Sequence, residues 1–238
     1  MSILVVNDDG ISSAGIKKLA TYAREFGEVT VVAPRSQCSA MSRRITVHGD
    51  IACEDRTKEF GVEGIRHAYA IDGTPADCVK LGVYFLCPEG IDIVFSGINY
   101  GYNTGVDLCY SGTMGAALEA LERGIPAIAF SADAGEEFGC VDEYLVSVTK
   151  EILTRGTSTT AVWNVNFPGL PKGACKGVLW DRVPDKGCFF VDKYEERTEG
   201  GERIFTAGMY PAAEGMTGSD IEAVKKGFVS VGMYHSSW

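Results

Sequence analysis

The chain has 238 residues, 45% of them hydrophobic and 23% charged, and its formal net charge is −10. This length and composition are typical of a soluble globular protein built as one large α/β domain, with or without an appendage. Because a strongly acidic surface repels polyanions, we expect neither a nucleic-acid polymer nor a membrane among its partners.

The N-terminal segment predicts a buried strand that ends in two acids. Ile3-Leu4-Val5-Val6 is an apolar, mostly β-branched run, and Asp8 and Asp9 follow almost directly. Apolar residues at helical spacing then predict a helix with Gly27 as its C′ residue. A second buried strand is predicted over 29–33.

The middle of the chain alternates further strand and helix patterns. Ile45-Thr46-Val47 predicts a strand, and the charged stretch 50–66 predicts an irregular excursion at the surface. Thr74-Pro75-Ala76-Asp77 is typical of a helix start, with a hydroxyl cap, a proline at the first helical position and an acid in the first turn. This helix is predicted to continue loosely as far as 86. Further strands are predicted over 91–96 and 126–130, and further helices from about 112 and over 141–154.

These repeated β-loop-α units predict the fold class. It is a three-layer, Rossmann-like α/β fold whose mostly parallel sheet carries helices on both faces. From Ala161 the pattern changes to short strands, an aromatic and charged stretch and a Gly/Ser-rich tail, which predict hairpins packed on the sheet edge over 161–167, 176–181 and 187–210.

We therefore expect a single domain over 1–238. Its Rossmann-like core spans about 1–160, and a β-rich C-terminal extension with strands, a hairpin arm and a short helix spans about 161–238. Such an extension is too polar for a core of its own and is a candidate arm that packs on another subunit.

Cysteine and histidine usage bears on compartment and metal chemistry. The eight cysteines are scattered without a Cys-x-x-Cys pair, and no basic n-region or long apolar run stands in the sequence. We expect reduced thiols and a cytoplasmic protein without a membrane span. The three histidines lack zinc-type spacing, so any metal site is expected to use oxygen ligands.

The pair Asp8–Asp9 is the first candidate site. Ligands bind at strand tips in open parallel sheets, and two adjacent carboxylates repel unless a cation, usually a hard divalent one, lies between them. Asn99, in a glycine- and asparagine-rich segment, offers an amide oxygen to a cation or an amide nitrogen to phosphate. A solvated turn at the pair and a structural turn at Asn99 are the alternatives.

Ser111-Gly112-Thr113 is the candidate anion site. It opens a predicted helix, so two hydroxyls and free backbone N–H groups point outward along the helix dipole. A serine at this place is also an ordinary helix cap. Arg43 and Arg44, in the polar segment after the second strand, are candidates for a phosphate contact or for solvated charges.

Several motifs together resemble the SurE family of nucleotidases, in the family's order from residue 3 to about residue 230. They are Val-Asn-Asp-Asp-Gly-Ile, Val-Ala-Pro followed by Ser39 and Ser42, Gly-Thr-Pro-Ala-Asp-Cys-Val, Ser-Gly-Ile-Asn-x-Gly, Tyr-Ser-Gly-Thr-x-Gly-Ala-Ala, Trp-Asn-Val-Asn-Phe-Pro, and Ser219-Asp220 followed by Gly227-Phe228-Val229-Ser230. The resemblance implies one divalent ion per subunit, Mg²⁺ or Mn²⁺ with Ca²⁺ as a further option. Its implied ligands are Asp8, Asp9, Ser39 and Asn99.

The resemblance also implies a reaction. The implied catalytic residues are Asp8, Asp9 and Asn99, and the implied phosphate contacts are Asn99, Ser111, Gly112 and Thr113. The implied activity is metal-dependent hydrolysis of nucleoside 5′- or 3′-monophosphates. We favour attack by a metal-activated water that Asp8 orients, and a general-base or covalent-nucleophile role for Asp8 or Asp9 stays open. The implied assembly is a homodimer or homotetramer joined by an exchanged C-terminal arm.

The chain departs from the family pattern at a few positions. Ala40 stands where glycine is usual, Cys38 and Arg44 replace commoner polar residues, and the tail Val231–Tyr234 is atypical. Two alternatives to a nucleotidase stay open. One is a non-catalytic metal- or nucleotide-binding protein, and the other is a receiver-like signalling module, which would need a further phosphoacceptor aspartate and a lysine at later strand ends.

Overall fold

One large sheet organises the chain. The computed structural model describes residues 1–133, 138–211 and 214–235. Its strands are β1 (Ser2–Val6), β2 (Glu28–Pro34), β3 (Cys53–Asp55), β4 (His67–Ile71), β5 (Ile93–Tyr100), β6 (Ala127–Ala132), β7 (Ala161–Phe167), β8 (Val178–Leu179), β9 (Phe190–Glu199), β10 (Glu202–Pro211) and β11 (Val229–His235). Its helices are α1 (Ala14–Ala23), α2 (Pro75–Leu81), α3 (Gly112–Glu122), α4 (Gly139–Arg155) and α5 (Asp220–Lys225), with a π-helical turn over Gly82–Leu86 and a 3₁₀ turn over Val106–Cys109.

The strand order of the sheet is β3-β4-β2-β1-β5-β6-β7-β11-β8. The central strands from β4 to β7 run parallel, whereas β3 and β11 pair antiparallel with β4 and β7. From β1 the chain crosses to β2 on one side and later, through α2, to β5 on the other. The space beyond the carboxyl ends of β1 and β5 is therefore the switch point at which open α/β sheets bind ligands.

Two hydrophobic cores cover the faces of the sheet. Along β1, Ile3 and Val5 belong to the core that holds α1 and α4, whereas Leu4 and Val6 belong to the core that holds α2 and α3. All four side chains are at most 1% exposed. Burying each contributes about 1.5–3 kcal/mol, so β1 is a firm support for whatever its tip carries. The three-layer, mostly parallel fold is confirmed.

Four helices begin at hydroxyl caps. Ser13, Thr74, Ser111 and Ser219 each accept a hydrogen bond from the backbone N–H three residues further on. Such a cap contributes about 1 kcal/mol. Thr74 and Asp77 form a complete capping box, which confirms the helix start predicted there. None of the helices in the described ranges is long and apolar enough to cross a membrane.

The strand predicted over 45–47 is wrong. Both the backbone N–H and the hydroxyl of Thr46 donate to the carboxylate of Asp77, at 3.0 and 2.7 Å. The segment therefore folds onto the start of α2 rather than pairing with a strand. The apolar residues that suggested a strand, Ile45 and Val47, are exposed, to 38% and 71%.

The role predicted for Gly27 is also wrong. Helix α1 already ends at Ala23, and its cap Arg24 has an ordinary right-handed conformation. A Cβ at position 27 would lie 2.0 Å from the Met1 carbonyl oxygen, so glycine is needed there for close approach to the N-terminal strand. The helix predicted to continue to 86 ends at Leu81 and passes into the π-helical turn.

The C-terminal part is integrated differently from the prediction. Strands β7 and β11 lie inside the large sheet, and β11 occupies most of the predicted Gly/Ser-rich tail, whose residues 236–238 lie outside the described residues. The strand predicted over 176–181 shortens to β8. The hairpin β9–β10 forms its own two-stranded sheet instead of packing on the sheet edge. Strand β4 has no predicted counterpart.

Candidate active site

The acidic pair lies directly beyond β1, at the switch point. Asp8 is only 3% exposed, and Asp9 is half-buried. Oδ1 of Asp8 accepts a 2.7 Å hydrogen bond from the hydroxyl of Thr113. Oδ2 of Asp9 accepts a 2.9 Å hydrogen bond from the backbone N–H of Tyr100. Each carboxylate is therefore fixed through one oxygen by the strand or helix beside β1.

A side chain that the sequence reasoning missed, Asn7, holds the turn that carries the pair. Its Nδ2 donates to the backbone oxygen of Gly10 at 3.0 Å and to Oγ of Ser13, the cap of α1, at 2.9 Å. Asn7 is fully buried. An asparagine that ends a buried strand just before Asp-Asp-Gly is typical of a side chain that closes a turn on its own backbone, and this pattern could have identified it.

The start of α3 packs against Asp8. A Cβ at Gly112 would lie 2.9 Å from Oδ2 of Asp8, so only glycine allows the helix to approach this closely. Oγ of Ser111 accepts a 3.1 Å hydrogen bond from Met114 as the helix cap. The N–H groups of Gly112 and Thr113 belong to the first turn, where a helix offers no acceptor. The candidate anion site thus shares a wall with the acidic pair.

Asn99 lies at the end of β5, the strand next to β1, rather than in a loop. Its Nδ2 donates to the backbone oxygen of Gly101 at 2.8 Å, which leaves Oδ1 as the atom available to a cation. The pairing of β5 with β6 shifts register between Ser96 and Asn99. Such irregularities re-aim side chains beside functional sites. The neighbouring residue, Tyr100, is the one that binds Asp9.

Ser39 lies on the exposed segment that follows β2, which we call the Ser39 loop (residues 35–44). The backbone N–H of Cys38 donates to the backbone oxygen of Asp8 at 2.7 Å, so this loop lies against the acidic pair. The hydroxyl of Ser39 accepts a 2.8 Å hydrogen bond from Gln37. Ala40 has a φ of 55°, in the left-handed region that favours glycine. This conformation explains why glycine would suit that position.

The Ser39 loop is bound to α3 on its other side. The backbone N–H of Ser42 donates to the backbone oxygen of Tyr110 at 2.9 Å, and its hydroxyl donates to that of Cys109 at 2.8 Å. Arg43 forms a 3.0 Å ion pair with Glu119, which is nearly buried. Loop, helix and strand tip therefore meet at the carboxyl edge of the sheet.

Buried polar contacts anchor the segment between Asn99 and Ser111. The backbone N–H of Asn103 donates to Oδ1 of Asn166 at 2.9 Å, and that of Gly105 donates to Oδ2 of Asp220 at 2.9 Å. Burial raises the pKa of Asp220 to about 6 against three backbone hydrogen bonds that lower it. These anchors depend on pairings across more than 60 residues, and no local sequence pattern predicts them.

The electrostatics of the pair favour a cation. Burial raises the pKa of Asp8 to about 6; the Thr113 hydrogen bond opposes this rise and the charge of Asp9 adds to it. Burial also raises the pKa of Asp9, against the hydrogen bond from Tyr100. Within the described ranges, neither carboxylate has a lysine or arginine ion-pair partner.

The donor set fits a hard divalent ion. The described part of the chain holds no cluster of three or more histidine, cysteine, aspartate or glutamate side chains, so a metal at the pair would need neutral oxygen ligands as well. Tyr100 and Cys38 bond to the acidic pair, so the amide oxygen of the adjacent Asn99 and the hydroxyl of the adjacent Ser39 belong to segments that contact it. Carboxylate, amide and hydroxyl oxygens suit Mg²⁺ or Mn²⁺ better than zinc.

Fold and site together define a class: a three-layer α/β protein with an acidic pair at its switch point and a helix start beside it. The sequence profile described as "Survival protein SurE" matches residues 3–187. The chain belongs to the SurE family.

Curated relatives and a solved structure match nearly the whole chain. A 5′-nucleotidase SurE from a Thermoanaerobacter species is 40% identical, covering 99% of this chain and 92% of its own length. The 5′-nucleotidase SurE 1 of Thermus thermophilus is 43% identical, covering 97% and 90%. The crystal structure of the SurE protein from Aquifex aeolicus superposes with a TM-score of 0.82 at 33% identity, covering 99% of this chain and 93% of that one.

Proposed function

We propose that this chain is a divalent-metal-dependent 5′-nucleotidase that releases phosphate from nucleoside 5′-monophosphates and also from 3′-monophosphates. The nucleotidase class follows from its relatives, which carry the name 5′-nucleotidase SurE. The observation that carries the metal dependence is the 2.7 Å bond between Thr113 and Asp8. It joins the start of α3, where a phosphate would bind, to the acidic pair, where a cation would bind.

The residues Asp8, Asp9, Ser39 and Asn99 would hold one Mg²⁺ or Mn²⁺ ion. When bound, such an ion polarises the phosphoryl group and lowers the pKa of a bound water. Asp8, fixed by Thr113, orients the attacking water toward the phosphorus atom. Thr113 leaves Asp8 its second carboxylate oxygen for this role, since the hydroxyl bond occupies only Oδ1.

The start of α3 binds the phosphate of the substrate. The N–H groups of Gly112 and Thr113 and the hydroxyl of Ser111 face the equatorial phosphoryl oxygens, where charge builds in the transition state. Asn99 contributes from β5. Because these donors are part of a fixed helix and strand, they need no rearrangement during the reaction.

Phosphate release tests the proposal. The purified protein is incubated with Mn²⁺ and a panel of nucleoside 5′- and 3′-monophosphates, with and without a chelator. We expect release that the chelator abolishes and added Mn²⁺ restores. No release from any member of the panel would favour the non-catalytic binding alternative. Release that the chelator leaves unchanged would contradict the metal dependence.

The receiver-like alternative is weak, because membership of the SurE family accounts for the acidic pair without a signalling role.

We also propose that the protein is cytoplasmic. The observation in favour is that all eight cysteines are free thiols. Free thiols are typical of a reducing compartment.

We further propose that the hairpin β9–β10 joins copies of the chain into a homodimer or homotetramer. Its strands pair over ten positions, from Phe190–Pro211 to Glu199–Glu202, and expose Tyr194, Phe205, Met209 and Tyr210 to at least 50%. A two-stranded ribbon is at best marginally stable by itself. Sedimentation should show an oligomer that becomes a monomer when residues 192–209 are replaced by a short Gly-Ser turn. A monomeric intact chain would contradict this assembly.

A further inference from the structure

A groove of about 460 Å³ opens beside the Ser39 loop. We call it the Arg44 groove; its walls include Arg35, Cys38, Arg44, Ile45 and Asp72. This volume lies within the range of about 300–1,000 Å³ that small-molecule sites occupy. The groove is separate from the start of α3. None of the residues proposed above to bind phosphate or metal lines it, so the proposed function gives the groove no role.

One wall of the groove is bonded to the backbone of the acidic pair. Cys38 lies in its wall, and the backbone N–H of Cys38 is 2.7 Å from the backbone oxygen of Asp8. Arg44 lies in the wall of the same groove. A ligand whose first phosphate is bound at the start of α3, beside the acidic pair, can therefore extend along the groove toward Arg44.

The other charges in the groove wall are already compensated. Arg35 forms ion pairs with Asp72 at 3.3 Å and with Glu54 at 3.7 Å. Asp77, in the first turn of α2, accepts hydrogen bonds from Thr46 and Thr74, which both line the groove.

Arg44 is different, because its backbone is fixed while its guanidinium is free. Its backbone oxygen accepts a 2.5 Å hydrogen bond from Thr74, and its backbone N–H donates to Met41 at 3.1 Å. In the described ranges its guanidinium has no ion pair and no hydrogen bond. The adjacent Arg43, by contrast, is occupied by Glu119 and Glu122. An uncompensated guanidinium in a groove of a protein with net charge −10 favours an anionic ligand.

We propose that Arg44 binds a second phosphate of the substrate, so that the preferred substrates are nucleotides with a phosphate on each side of the sugar, such as nucleoside 3′,5′-bisphosphates. This inference rests on the proposed nucleotidase function. One water attacks the phosphorus held at the start of α3, and the ester P–O bond breaks. The products are inorganic phosphate and a nucleoside monophosphate whose new hydroxyl takes a proton from that water.

The test compares two substrates in matched variants. We measure kcat/KM for adenosine 3′,5′-bisphosphate and for adenosine 5′-monophosphate with the wild type, Arg44→Gln, Arg44→Lys and Arg43→Gln. The wild type should prefer the bisphosphate, and Arg44→Gln should lower that preference about tenfold, as expected for loss of one charge-assisted contact. Arg44→Lys should retain part of the preference. Arg43→Gln removes the same charge from the adjacent residue and should leave the ratio unchanged.

Two outcomes overturn the inference while the nucleotidase function stands. One is a ratio that Arg44→Gln leaves at the wild-type value. The other is an equal fall for both substrates, which would assign Arg44 to a part that both share, the nucleoside or the 5′-phosphate. Calorimetric binding of the two nucleotides separates the two proposals. An inactive protein would contradict the nucleotidase function, whereas bisphosphate affinity that Arg44→Gln leaves unchanged would contradict the contact with Arg44. If neither nucleotide binds, both proposals fail.

Discussion

The acidic pair and the Ser39 loop both supply proposed metal ligands, and they are built in opposite ways. Asp8 and Thr113 are buried and fixed to each other, with only Gly112 able to fit between helix and strand. The Ser39 loop is largely exposed and is held at a few points by main-chain bonds. The contact of Asp8 with Gly112 and Thr113 should tolerate almost no change. The Ser39 loop carries the departures from the family pattern at Cys38, Ala40 and Arg44, so substrate preference can vary there.

Asp8→Asn should have the largest effect. We expect kcat to fall by about a thousandfold or more, because the amide removes a charge that the metal and the attacking water need. The fold should persist, since the shape is kept and burial already disfavours the ionised form of Asp8. Asp92→Asn, at the opposite edge of the sheet where Asp92 accepts the Ser2 N–H, is the control. A fully active, metal-replete Asp8→Asn protein would refute the role of Asp8.

Thr113→Val tests whether the hydrogen bond from Thr113 orients Asp8. Loss of a hydrogen bond to a charged group costs about 1.5–3 kcal/mol, so we expect activity to fall about ten- to hundredfold. Thr149→Val is the matched control, because Thr149 is also fully buried but its hydroxyl has no partner in the described chain. That variant should keep its activity and be as stable as the wild type or more so. Equal activity of the two variants would contradict the account.

Asp77→Asn tests the support under the Ser39 loop. Burial alone would raise the pKa of Asp77, but the hydrogen bonds from Thr74 and Thr46 outweigh it and hold the pKa below its usual value. The ionised form therefore stabilises the fold above the ordinary pKa of an aspartate, and this stabilisation is lost as the pH falls through the lowered value. Urea unfolding should show Asp77→Asn about 1–2 kcal/mol less stable at neutral pH, with a smaller difference in acid. A difference that grows in acid would be inconsistent with this sign.

Ala40→Gly should have the smallest effect. A left-handed alanine costs about 1 kcal/mol, and glycine removes that strain while adding freedom to the unfolded chain. We expect a gain in unfolding free energy of at most about 1 kcal/mol and little change in turnover. Ala14→Gly, in the right-handed first turn of α1, should instead lose up to about 1 kcal/mol. Losses of equal size in both variants would show that position 40 is unstrained.

The sequence predicts the parts of the fold that local patterns determine. Continuous apolar runs predict β1 and β2, and the cap, proline and acid at 74–77 predict the start of α2. Strand β4 escapes prediction because its sequence His-Ala-Tyr-Ala-Ile has few β-branched residues and follows a charged stretch. Ile45-Thr46-Val47 misleads because a tertiary contact, the bond from Thr46 to Asp77, overrides its strand propensity.

The candidate site divides in the same way. Strand tips at one sheet edge predict that Asp8, Asp9 and Asn99 lie near each other. The bond between Asp8 and Thr113 does not follow from sequence, because it depends on how closely α3 packs on β1. The Arg44 groove does not follow from sequence either, because its walls come from two stretches of chain, within 35–48 and 71–74, that only the fold brings together.

The central claim is that four side chains, from the acidic pair, the end of β5 and the Ser39 loop, share one divalent ion. Calorimetric titration of Mn²⁺ into the wild type and into Asp8→Asn, Asp9→Asn, Ser39→Ala and Asn99→Ala tests it directly. The account predicts one ion per chain in the wild type and an affinity at least about tenfold weaker in every variant, with the aspartate variants the weakest. Wild-type affinity in all four variants, or no binding by the intact chain, would contradict it.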